Sequence, residues 1–154
     1  MTRHPYERDC VFCEIAAGEL PARFLYADGT VVSFLDIAPA TRGHALVAPR
    51  AHRRDLWEIH DDELVAVSLV ARKVALALRE LLAAPGMWVH HVSGAAAGQD
   101  VFHYHVHLIP RYDDDAVQPG WGAAPWRPPE VSEGDLDTIA ALVAEKLLVS
   151  ESGR

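Results

Sequence analysis

Three histidines recur at alternate positions in Val101-Phe102-His103-Tyr104-His105-Val106-His107-Leu108-Ile109. An extended strand sends successive side chains to opposite faces. On such a strand His103, His105 and His107 share one face, and Phe102, Tyr104, Val106 and Leu108 share the other. The apolar set anchors the strand in a core and leaves a row of imidazoles on the far side. Imidazole titrates nearest neutrality of all side chains, acts as nucleophile or proton carrier, and ligates metals. Desolvated imidazoles need hydrogen-bond partners, so such a row points to chemistry rather than to packing.

The segment before the row, Ser93-Gly94-Ala95-Ala96-Ala97-Gly98-Gln99-Asp100, is a loop of small residues. Such a loop lets backbone N–H groups approach an anion closely. The same composition also suits a plain turn. A second chemical feature is Cys10-Val11-Phe12-Cys13, which holds both cysteines of the chain. Cys-x-x-Cys is a redox pair or half of a zinc site. A redox pair normally opens a helix after a strand, whereas this one follows a polar tail. A structural zinc site needs two more Cys or His ligands.

The loop and the histidine strand together resemble the histidine triad (HIT) family, whose motif is His-φ-His-φ-His-φ-φ with φ apolar. His103-Tyr104-His105-Val106-His107-Leu108-Ile109 fits that motif throughout, and Ala97-Gly98-Gln99 looks like the family's phosphate loop. The likeness runs from about Cys10 to Arg111 and includes Phe34-Leu35-Asp36-Ile37 and Gly43-His44-Ala45-Leu46-Val47.

The resemblance, to bacterial members of the Hint-like type, implies a nucleoside monophosphate hydrolase or transferase. His105 would attack an α-phosphorus, expel an amine, acyl or polyphosphate leaving group, and hold the nucleotidyl group until water releases it. His107 and His44 would be its catalytic companions. The nucleotide would lie on Asp36, which accepts from the ribose hydroxyls, and on Ile37. Phe12, Ile15 and Phe34 are walls for the base or plain core. Backbone N–H groups of Gly98, Gln99 and Asp100, with His107, would meet the phosphate. Cys10, Cys13, His52 and His103 would hold a structural zinc, with no organic cofactor. The implied partners are a purine nucleotide, adenosine foremost, and a second copy of the chain, the two sheets joined through the long helix and the strand at Met87 to Val92.

Two departures matter. Val92-Ser93 stands where many relatives carry Asn-Asn, so a side-chain phosphate contact is lost unless Ser93, His90 or His91 replaces it. Asp100 stands where some relatives have Ser or Thr. Its carboxylate would repel a phosphate, so its N–H should serve instead. Related branches that act as dinucleotide phosphorylases or sugar-1-phosphate nucleotidylyltransferases often replace the third histidine by glutamine. Retention of His107 favours hydrolysis. A nucleotide-binding interaction module with incidental turnover would not need a positioned nucleophile.

The elements that must position these residues follow from pattern. Cys13 to Ala17 suggests a short helix, ended by Gly18 and Pro21. Phe24-Leu25-Tyr26 and Val31 to Leu35 read as a hairpin around Ala27-Asp28-Gly29. Ala45 to Ala48 is a third strand. Leu64, Val67, Ala71, Val74, Leu78 and Leu81 recur at helical spacing, predicting a helix from Asp61 to Ala83 capped by Asp61 or Asp62. Met87 to Val92 is a further strand. Ser132 can cap a final helix striped by Leu136, Ile139, Val143 and Leu147, which the resemblance sets beside the partner subunit. The sum is an α+β fold: an antiparallel sheet with a long helix packed on it and a C-terminal helix. Residues 1–9 read as a polar tail, 10–111 as the HIT-like domain, and 112–154 as an irregular Pro/Gly segment with Trp121 and Trp126 followed by that helix.

A chain of 154 residues suits one domain with a sizeable core. Its formal net charge of −8 argues against a general nucleic-acid binder. The sequence shows no signal-peptide pattern and no membrane-spanning apolar run, so a cytoplasmic location is expected.

Overall fold

The computed structural model describes residues 4–115 and 131–152, with side chains to 149. The chain order is α1 (Val11–Ala17), β1 (Phe24–Ala27), β2 (Val31–Leu35), β3 (Ala45–Pro49), α2 (Asp61–Leu82), β4 (Gly86–His90), β5 (Val106–Arg111) and α3 (Glu133–Ser152). The strands form one antiparallel sheet in the order β1-β2-β3-β5-β4. The fold is α+β, as the sequence pattern predicts.

Alternation along the strands divides the interior in two. Val31, Leu35, Ala45, Val47, Val106 and Leu108 face one core, with Val67, Val74 and Leu78 of α2 and Ile139 and Val143 of α3. Val32, Phe34, Leu46 and Ala48 face a second, smaller core with Phe12 and Ile15 of α1. Every residue of β2 and β3 is therefore buried, which is why these strands read as unbroken apolar runs in the sequence. The β1–β2 turn is set by Asp28, whose carboxylate accepts from the N–H groups of Thr30 and Val31 at 2.7 and 2.8 Å.

Several details differ from the pattern reading. The residue preceding α2 is His60, not Asp61 or Asp62. Glu63 reaches back to the His60 N–H at 3.1 Å while holding Arg53 through two bonds of 2.7 and 2.8 Å. A carboxylate three residues in satisfies that end of the chain better than a cap from the first turn. The buried stripe of α2 includes Val70 and Ala77, whereas Leu81 is exposed.

The histidine segment is not one continuous strand. Ladder pairing begins only at Val106, and residues 101–105 run without strand pairing. The alternation persists even so, because Tyr104, Val106 and Leu108 all enter the larger core. Phe102 does not: its ring lies under the Arg54 guanidinium at 4.5 Å. Strand β4 likewise stops at His90 rather than at Val92.

Helix α3 begins where Ser132 Oγ accepts from the Asp135 N–H at 3.1 Å. Its stripe of Leu136, Ile139, Val143 and Leu147 is buried in the larger core of its own chain. Arg23 bonds Asp137 and Glu133, and Arg42 bonds Asp135, which holds the helix beside β1 and the β2–β3 loop. The segment with Trp121 and Trp126 lies outside the described residues. No helix among the described residues is long and apolar enough to cross a membrane.

Candidate active site and metal centre

His105 is almost fully buried, and its Nδ1 lies 2.7 Å from the His103 carbonyl oxygen. A carbonyl can only accept, so Nδ1 carries the hydrogen and Nε2 keeps its lone pair. Burial pushes the imidazole below its ordinary pKa, more than the carbonyl contact raises it, so the ring is neutral at pH 7. Phe12 packs edge-on against it, centroids 5.0 Å apart. The ring is held at one end by a backbone acceptor and on one side by an aromatic.

A second chain of bonds fixes the neighbouring rings. The Ala40 N–H donates to His44 Nδ1 at 3.0 Å, which places the His44 hydrogen on Nε2. That hydrogen donates to His107 Nδ1, also at 3.0 Å. His107 must then carry its own hydrogen on Nε2. Burial is the largest cause that depresses both rings, His44 to about 3 and His107 to about 2, and the neighbouring histidines lower them further. As arranged, both lone-pair nitrogens, His44 Nδ1 and His107 Nδ1, already accept a hydrogen bond, so the pair is neutral and ends in the His107 Nε2–H donor.

Asp36 completes this corner. Its Oδ1 accepts from the Ala38 N–H at 2.8 Å and its Oδ2 sits 3.6 Å from His44 Nε2. Burial raises its carboxyl, with a smaller contribution from Asp100. Asp36, His44 and His107 bring their ligand atoms within 4.8 Å of one another. They are poorly suited to a cation, because ligation through His44 Nε2 would move its hydrogen to Nδ1, against the Ala40 N–H. Ile37 beside them is 88% exposed, an apolar surface open to a ligand. Phe12, Ile15 and Phe34 all belong to the smaller core, and Phe12 is the one that also reaches His105.

The small-residue loop contains a single 3-10 turn, Ala95–Ala97, flanked by Gly94 and Gly98 at φ of 85° and 92°. Those left-handed conformations are why glycine is needed there. Gln99 is buried and works inside the loop: its Oε1 accepts from the Gly94 N–H at 2.7 Å, and its Nε2 donates to the Arg54 and Val101 carbonyls. The N–H groups of Gly98 and Gln99 bond Ala95 and Gly94 within the loop. Gln99 is thus the brace of the loop, and of the three amides expected to meet phosphate only that of Asp100 has no acceptor among the described residues. The Asp100 carboxylate turns onto the Val101 N–H at 2.8 Å.

On the other side of His103 a second cluster forms. Cys10, Cys13, His52 and His103 bring their ligand atoms within 4.8 Å of one another. His103 Nδ1 lies 3.4 and 3.5 Å from the sulfurs of Cys10 and Cys13, and His52 Nδ1 is 3.3 Å from that of Cys13. Tetrahedral zinc with ordinary bond lengths sets sulfur and nitrogen about 3.6 Å apart, so the donor set fits. The His103 hydrogen is on Nε2, bonded to the Pro49 carbonyl at 2.8 Å, which leaves Nδ1 for a metal and orients the ring as metal-binding histidines require. Without a cation, burial pushes the Cys13 thiol up to about 12. The loss of solvation at that sulfur is what bound zinc would offset.

The sequence reading gives Ala40 no role and leaves open which of His90 and His91 faces the site. Ala40 contributes only its N–H, which no side-chain pattern announces. His90 is the one of the His90–His91 pair that faces the row: it is paired with His107 across β4 and β5, and their rings stack at 4.8 Å and 15°. Antiparallel register places them together, and register is set by pairing rather than by either segment alone.

A family model described as HIT domain matches residues 17–114. "Protein hit" of Bacillus subtilis is 36% identical over 144 residues, 92% of this chain and 97% of its own length. An uncharacterized HIT-like protein of Mycobacterium tuberculosis is 38% identical over 121 residues, 79% of this chain and 84% of its own. Among solved structures, a zinc-bound histidine triad family protein from Mycobacterium smegmatis superposes with a TM-score of 0.79 at 33% identity, covering 95% of this chain and 98% of that one. A HIT family hydrolase from Clostridium thermocellum superposes with a TM-score of 0.63 at 34% identity, covering 75% of this chain and 98% of its own. Fold, sequence match and the arrangement of the histidines agree: this chain belongs to the histidine triad family.

Proposed function

We propose that this protein cleaves a nucleoside monophosphate from a leaving group through a covalent nucleotidyl-histidine at His105. The observation that carries this reading is the Nδ1–H bond from His105 to the His103 carbonyl. It presents a lone pair on Nε2 from a buried, neutral ring. In the first step Nε2 forms a bond to the α-phosphorus, the bond to the leaving group breaks, and its electron pair departs with that group, which takes a proton from solvent. In the second, water attacks phosphorus and gives up a proton to solvent, the bond to Nε2 breaks, and the nucleoside monophosphate leaves as the lone pair returns to Nε2. Splitting one displacement into two lowers each barrier.

The His44–His107 pair supports the charge that builds on phosphoryl oxygen. A neutral donor aimed from His107 Nε2 needs no reorganisation at the moment of reaction. The Asp100 N–H supports the same charge. Asp36 accepts from the ribose hydroxyls and Ile37 lies against the nucleoside, a purine with adenosine foremost. The zinc-bound relative from Mycobacterium smegmatis and the fit of the four donors support a zinc on Cys10, Cys13, His52 and His103. There it would supply cross-linking and charge compensation, tying α1 to the segment that carries His105. Edge strand β4 with exposed Val89, and the exposed Val65, Leu69 and Leu76 of α2, support a homodimer through those two elements. An apolar edge strand is otherwise a site of aggregation.

The test is a screen of adenylated and guanylated amines, acids and phosphates, quenched in mid-turnover. Mass spectrometry of peptides should place the nucleotidyl group on His105. Turnover without any nucleotidylated histidine would contradict the reading.

A further inference from the structure

Strand β4 ends at His90, opposite His107, and so stops short of the His105 carbonyl two residues back along the triad segment. What reaches that oxygen is the side chain of His91, whose Nδ1 is 2.8 Å from it. The acceptor is a carbonyl, so His91 carries its hydrogen on Nδ1 and has a lone pair on Nε2. Ser93 Oγ lies 2.6 Å from that nitrogen and donates to it. The same hydroxyl oxygen accepts from the Leu56 N–H at 3.0 Å. Each hydrogen in the run Leu56 to Ser93 to His91 to His105 has one donor and one acceptor, with no conflict at any atom. The His91 ring also packs on Tyr104, centroids 4.2 Å apart, which anchors it on the residue between His103 and His105.

We propose that His91, braced by Ser93, is a positioning residue for the nucleophile. Where the ladder opens so that the chain can form the phosphate loop, an imidazole takes over the backbone's role and fixes the His105 peptide. The ring of His105 is set by the His103 carbonyl and its backbone by His91, so both ends are held. This gives Ser93 a structural role. The hydroxyl of Ser93 is spent inside the protein, tying the phosphate loop and the Leu56 segment to the nucleophile, and does not face a phosphate. The proposal rests on the nucleotidyl-histidine reading for its kinetic consequence, though not for its proton assignment.

The test compares wild type with His91→Phe, His91→Asn and Ser93→Ala, using an adenosine 5′-phosphoramidate of an aromatic amine. His91→Phe keeps a ring on Tyr104 and removes the donor, whereas His91→Asn keeps an N–H near the place of Nδ1. Loss of positioning should slow nucleotidylation of His105 by roughly tenfold to a hundredfold in His91→Phe, with the affinity for AMP unchanged. His91→Asn should recover most of that rate, and Ser93→Ala should fall between. Wild-type rate in folded His91→Phe, an equally slow His91→Asn, or a loss confined to AMP affinity would overturn the proposal. Imidazole nitrogen NMR on the wild-type protein gives a reading independent of turnover and of how the variants fold. His91 is expected as the Nδ1–H tautomer, and an Nε2–H tautomer would overturn the proposal. Absence of any nucleotidyl-histidine in wild type would instead contradict the catalytic reading, with the tautomer still deciding this one.

Discussion

Replacing His44 by Asn should make the fold less sensitive to acid, and the structure sets the size of the effect. His44 is buried with its Nδ1 on the Ala40 N–H and its Nε2–H on His107. Asn Oδ1 can accept from the same N–H, so the local turn survives while the titrating group is removed. In the native state the imidazole stays neutral down to about pH 3, against an ordinary value of 6.5. Between those values the unfolded chain binds a proton that the folded chain refuses, so stability rises with pH and is lost as pH falls below 6.5. Above 6.5 both states are neutral and the group contributes nothing. The slope reaches about 1.4 kcal/mol per pH unit, or roughly 2 kcal/mol between pH 6.5 and 5. Urea melts at pH 7.5, 6.5, 5.5 and 5.0, each with saturating zinc and again with chelator, measure this directly. The difference between wild type and His44→Asn should shrink toward acid by that amount in both series. Parallel curves would refute the burial-driven exclusion of a proton from His44.

Three further outcomes are expected. Protein purified without chelator should carry about one zinc per chain; EDTA should lower its Tm, and Cys10→Ala should abolish both the metal and the EDTA response, while a metal-free protein whose Tm ignores EDTA would count against the site. Gly43→Ala should cost about 2–4 kcal/mol, because Gly43 has φ of +90° and a Cβ there would strike Leu82 and press on Pro110 and Leu78 at 3.2 and 3.4 Å; a change too small to detect by chemical denaturation would show that the turn before His44 is adaptable. Val89→Asp, on the exposed edge strand, should shift light scattering from dimer to monomer, whereas a wild type that is already monomeric at micromolar concentration would remove the assembly.

Alternation made much of this fold legible in advance. The run of His103, His105 and His107 against Tyr104, Val106 and Leu108 describes the two faces correctly even though strand pairing starts only at Val106, because burial rather than pairing sets which way each side chain turns. The stripe on α3 was equally plain, but a periodic stripe does not say which surface it meets, and Leu136, Ile139 and Val143 proved to serve the chain's own core. Residues that act through the backbone left no trace in the pattern. Ala40 orients His44 with an N–H that nearly every residue type carries. Gln99 is expected to meet phosphate through its backbone N–H; that N–H bonds the Gly94 carbonyl and the buried side chain braces the loop, which composition alone does not announce. His90 beside His107, and His91 beneath His105, depend on the register of β4 against β5, which long-range pairing decides.

The central claim is that His105 is the nucleophile. Its most direct test is intact-protein and peptide mass spectrometry of enzyme quenched during turnover of an adenosine phosphoramidate, wild type beside His105→Ala. The account predicts an added AMP on the His105 peptide of wild type. It predicts no adduct in the variant, whose rate falls by several orders of magnitude while AMP still binds. Turnover by His105→Ala within about tenfold of wild type, a barrier change of only about 1.4 kcal/mol, would contradict it.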